Sequence, residues 1–90
     1  MGATFDLRTA AEERAGSAFS DEEYQMVLTE ARRKLERIND MNGTHHGEPY
    51  LAILIAEAVR FRRLSQYLTA LNDLRELARE SGLNQGLAHP

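Results

Sequence analysis

Apolar residues recur at steps of three and four through two long stretches of the chain. Tyr24, Val27, Leu28, Ala31, Leu35, Ile38 and Met41 mark one face of an α-helix. The helix has a clear start at "SDEE". Ser20 is placed to accept a hydrogen bond from the N–H of Glu23, and Glu23 to reach back to the N–H of Ser20, as in a capping box. Asp21 and Glu22 suit the positive end of the helix dipole. Asn42-Gly43 stops the pattern, glycine in a left-handed conformation being a common helix terminator. The pattern predicts a first long helix over about residues 21–41.

The second stretch begins at Pro49, which suits the first turn of a helix because its missing N–H costs nothing there. No glycine or proline follows until Gly82, so the spacing predicts a helix over 49–81. Its two halves differ. Tyr50 to Val59 is apolar nearly all round, which predicts burial on more than one side. From Phe61 the pattern narrows to a stripe of Leu64, Tyr67, Leu68, Leu71, Leu74, Leu77 and Ala78. The second helix outruns the first by about ten residues, leaving part of this stripe uncovered. Residues 1–19 folding back, a second chain, or a kink near Ser65 would each answer that mismatch.

Residues 1–19 are polar and rich in small side chains. Asp6 is placed to cap a short helix through "LRTAAEERA" that Gly16 ends; a mobile arm is the alternative. The tail 83–90 reads as disordered. The gap "INDMNGTHHGEPY" holds His45, His46 and Glu48, all competent metal ligands. Adjacent imidazoles turn poorly onto one ion, and a di-iron bundle would need Glu-x-x-His motifs inside its helices. A plain turn accounts for every residue of the gap, so no cofactor is expected, with His45, His46 and Glu48 the residues to watch.

Composition sharpens the picture. Ninety residues make one domain, and a chain this short buries only about 60–65% of its unfolded surface. There is no cysteine, hence no disulfide or thiolate site. No run reaches the about 20 apolar residues of a membrane span, and the N-terminus lacks the pattern of a secretory leader. A cytoplasmic protein is the expectation. Net charge is −3, but residues 31–63 carry seven basic and four acidic side chains. With the two long helices folded about residue 45 or 46, Arg32, Arg33 and Arg37 come near the level of Arg60, Arg62 and Arg63. Lys34 adds to this basic band, and Glu36 and Glu57 are its internal counter-charges. Glu57 interrupts the apolar run and, if buried, needs a partner such as Arg60.

No P-loop, dinucleotide fingerprint or nucleophile elbow is present. The sequence therefore reads as an all-α protein: an antiparallel helical hairpin over 20–82 with a short N-terminal helix or arm. Tyr50, Leu51, Leu54, Ile55, Leu64, Leu68 and Leu71 are expected to pair two copies into a helical bundle. The function expected is a non-enzymatic interaction module: a regulator, adaptor, inhibitor or assembly factor. It would meet another protein through Arg32, Arg33, Arg37, Arg60, Arg62 and Arg63. Phosphate contact with nucleic acid through the same arginines is the alternative, and metal or small-anion binding a second one.

Overall fold

A computed structural model describes residues 4–82, all of whose regular structure is helical: α1 (Leu7–Ala15), α2 (Asp21–Asn42) and α3 (Glu48–Ser81). Predicted and observed ends of the two long helices agree within one residue. The tail expected to be disordered lies outside the described residues.

Local chemistry sets each boundary. The Asp6 carboxylate accepts from the N–H of Thr9 at 3.1 Å, which caps α1 and holds that carboxyl below its ordinary pKa. Gly16 ends α1 with φ +78°, its N–H bonded to the carbonyl of Glu12. Ser20 caps α2 by accepting from the N–H of Glu23 at 3.1 Å. Gly43 ends α2 at φ +64°, a conformation that a β-carbon disfavours. Pro49 sits in the first turn of α3, and the helix continues through Ser65 as one element of 34 residues, about 51 Å long.

The core shows why the N-terminal segment is a helix and not an arm. Leu7 and Ala11 of α1, with Phe19 of the following loop, are buried together with Val27 and Ala31 of α2. All of them share one cluster with Leu51, Ala52, Leu54, Ile55 and Val59 of α3. Both α1 and α2 pack on the first half of α3, so its apolar run is covered from two sides by its own chain. This changes the role expected for Leu51, Leu54 and Ile55. Assigned to pairing between copies, they are buried within one chain, because α1 and α2 both pack on this half of α3.

Ile55 is fully buried at the meeting point of the cluster. We expect Ile55→Ala to lower unfolding stability by about 2–5 kcal/mol, read as a reduced urea midpoint. A loss below about 1 kcal/mol would mean that this core does not hold the fold together.

Candidate interaction surface

The arginines expected to form one band divide into two sets with different surroundings. Those of α3 are turned onto the α1–α2 junction. Arg63 donates to the carbonyl of Ala18 at 3.0 Å, to the Glu23 carboxylate at 3.0 Å and to the Ser17 hydroxyl. Arg60 donates to the carbonyl of Arg14, the next-to-last residue of α1, at 2.6 Å. Arg62 lies against Met26, with its Nε buried 4.0 Å from Glu23 and without a hydrogen-bond partner. These three side chains hold the end of α1 and the start of α2 against α3. They are committed to the fold, which leaves less of their charge for a partner.

The same contacts correct the capping box. Only half of it forms, because the Glu23 side chain turns to Arg63 and Arg62 rather than back to Ser20. A guanidinium is the stronger partner for a carboxylate than a backbone N–H. Sequence reasoning also missed Arg8, which bonds Asp21 at 2.7 Å and the carbonyl of Phe19 at 2.6 Å, with Glu12 at 3.5 Å. Its guanidinium lies 5.2 Å from the centroid of Tyr24. The one local signal was the i, i+4 pairing of Arg8 with Glu12.

The arginines of α2 are placed differently. Arg32, Arg33, Lys34 and Arg37 are exposed, and among the described residues none has a carboxylate within salt-bridge distance. Glu57, expected to be buried if the apolar run closed around it, is exposed instead. It borders an open cleft of about 450 Å³ with Glu30, Lys34 and Phe61, over a floor of Ala31, Leu54 and Ala58.

The gap between α2 and α3 is organised as a turn. The Asn39 side chain accepts from the N–H of His46 at 3.0 Å and from the Thr44 hydroxyl at 2.8 Å. It also donates to the carbonyl of His46 at 3.2 Å. The His46 ring stacks on Tyr50, centroids 4.3 Å apart. No group of three or more His, Asp or Glu side chains among the described residues is placed to hold a metal ion. Tyr50, in the first turn of α3, is half-buried, stacked by His46 and packed against the core.

What stands open is the second half of α3. Leu64, Tyr67, Leu68, Leu74 and Leu77 are each more than half exposed, as is Phe61 before them, while Leu71 is half-buried. Length alone does not explain this. Each residue turns a helix by about 100°, so Leu64 stands about 180° and Leu71 about 160° around α3 from Ile55. The apolar face changes sides between Val59 and Leu64. Below the change it meets α1 and α2; above it, the side in line with Ile55 carries Gln66, Thr69, Asp73 and Glu80, with Leu77 about 40° from that line. Residues 7–19 pack with the first half of α3, on the side away from Leu64 and Leu71.

Comparison with models of known families, with curated proteins and with solved structures finds no match to this chain. Among the described residues, no helix is long and apolar enough to cross a membrane.

The clamp on the α1–α2 junction is testable. We expect Arg63→Ala to lower stability by about 1–2 kcal/mol, because it removes a charged donor from several acceptors. Arg63→Lys should recover only part of this, lacking the planar fork. Arg33→Ala should stay within about 0.5 kcal/mol of the parent. Equal effects of Arg33→Ala and Arg63→Ala in urea unfolding would contradict the division into two sets.

Proposed function

We propose that this chain is a small non-enzymatic protein–protein interaction module, of the regulator, adaptor, inhibitor or assembly-factor kind. The observation that carries the reading is the change of apolar face along α3. A helix that merely overhung its neighbours would keep its apolar residues in line with the core. Here six large apolar side chains, Phe61 to Leu77, stand exposed, most on the side turned away from the core. An exposed apolar patch of this size is the mark of a contact surface in a soluble protein. Its repeat at three and four residues suits another helix. The antiparallel α2–α3 hairpin, steadied by α1, is then the scaffold that presents the contact helix. A cysteine-free chain fits the cytoplasm, where disulfides are rare.

The reading is tested by placing a photo-reactive side chain at Leu68, Leu74 or Asp73 in the full chain, in the cells that make it. Discrete cross-linked adducts are expected at Leu68 and Leu74 and not at Asp73, which lies on the side of α3 away from Leu71, the middle of the stripe. Equal yields at all three positions, or none, would sink the idea that the stripe is a contact surface.

A second reading rests on the unpaired cations of α2. Arg32, Arg33, Lys34 and Arg37 together offer a site for acidic groups, either carboxylates of a protein or phosphates of a nucleic acid. If phosphates are the target, the protein is retained on duplex nucleic acid at low salt, and affinity falls as a power of salt concentration. Replacing Arg32, Arg33 and Arg37 with alanine should flatten that slope by about 2–3. Absence of retention at low salt removes the nucleic-acid form of this reading.

A further inference from the structure

Resting on the reading of the stripe as a contact surface, we infer that its occupant is a second copy of this chain, packed antiparallel with the two-fold axis at Leu71. Three observations point to this arrangement.

The first is the symmetry of the stripe about Leu71. Three residues to either side are Leu68 and Leu74; seven to either side are Leu64 and Ala78. An antiparallel copy centred on Leu71 therefore sets Leu68 against Leu74 of the second copy and Leu64 against its Ala78. A large residue meets a small one at each end of the contact. Four residues out, Tyr67 meets Arg75 of the second copy, a favourable cation–aromatic pair. A two-fold contact needs such self-complementarity, because each residue must suit its symmetry mate.

The second observation is area. Leu64, Tyr67, Leu68 and Leu74 are 53–62% exposed, so two copies have a row of large apolar side chains to cover, against the roughly 1,200 Å² at the lower end of specific interfaces.

The third is the position of the core. Leu64 and Leu71 lie on the side of α3 away from Ile55, so α1 and α2 stand clear of the contact on its outer faces. In an antiparallel pair the two packed cores lie at opposite ends. A parallel pair sets them side by side, and residues 1–63 of each carry nine basic and eleven acidic side chains, a net repulsion. The helix dipoles also favour the antiparallel order.

The experiment combines solution mass with thiol cross-linking of the full chain, which contains no cysteine of its own. Light scattering over a hundredfold range of concentration should give twice the mass of one chain at the upper end. Leu71→Glu should give a single-chain mass with the urea midpoint of the core transition retained. A short thiol-reactive cross-linker should join Leu71→Cys to itself. It should join Leu64→Cys to Ala78→Cys in a mixture, but not Leu64→Cys to itself. A single-chain mass at every concentration overturns the second-copy inference. The interaction reading then survives only if Leu68 and Leu74 cross-link to a different protein in cells. Self-joining of Leu64→Cys overturns the antiparallel order.

Discussion

One helix serves two apolar surfaces, and everything else in the structure depends on where α3 changes from one to the other. Up to Val59 its apolar side chains are packed by α1 and α2. Beyond it Leu64 and Leu71 stand on the other side, and Leu64, Tyr67, Leu68, Leu74 and Leu77 are exposed. The change falls where Arg60, Arg62 and Arg63 are placed; Arg60 and Arg63 close the core with hydrogen bonds to the α1–α2 junction, and Arg62 lies against Met26 and Glu23. The arginines thus mark the end of the fold, and the stripe begins directly after them.

On the proposed reading, this arrangement separates folding from recognition. A thin core is a common weakness of a chain of this size, and α1 meets it by adding Leu7 and Ala11, with Phe19 of the loop beyond, to the cluster around Ile55. The stripe contributes no residue to that cluster. Changes in Leu68 or Leu74 are therefore free to tune association without loosening the scaffold. The exposed cations of α2 are a further surface, on a different helix, with no role in closing the core.

Much of the fold was legible in the sequence, because caps and terminators act locally. Ser20, Gly43, Pro49 and Gly82 mark helix ends through the chemistry of one or two neighbours. The standing of α1 was harder to read. "LRTAAEERA" has few apolar residues, and its helix is held by long-range contacts to Ile55 and its neighbours and by Arg8 and Arg60. The fate of Arg60, Arg62 and Arg63 was likewise hidden, since their acceptors include backbone carbonyls of Arg14 and Ala18 that composition does not show. The exposure of the stripe was anticipated, but from the unequal lengths of the helices. Counting turns from Ile55 to Leu64 would have given the stronger reason. That count also separates Leu51 and Ile55, which the fold consumes, from Leu64 and Leu71.

The central claim is that the stripe is built for association and takes no part in folding the single chain. Backbone hydrogen exchange along α3, at low and at high protein concentration, tests it most directly. Slow exchange through residues 51–59 at both concentrations, with residues 66–78 fast when dilute and slowed when concentrated, is the predicted result. Equal protection of both segments at the lowest concentration would mean that one chain covers its own stripe, and would contradict the account.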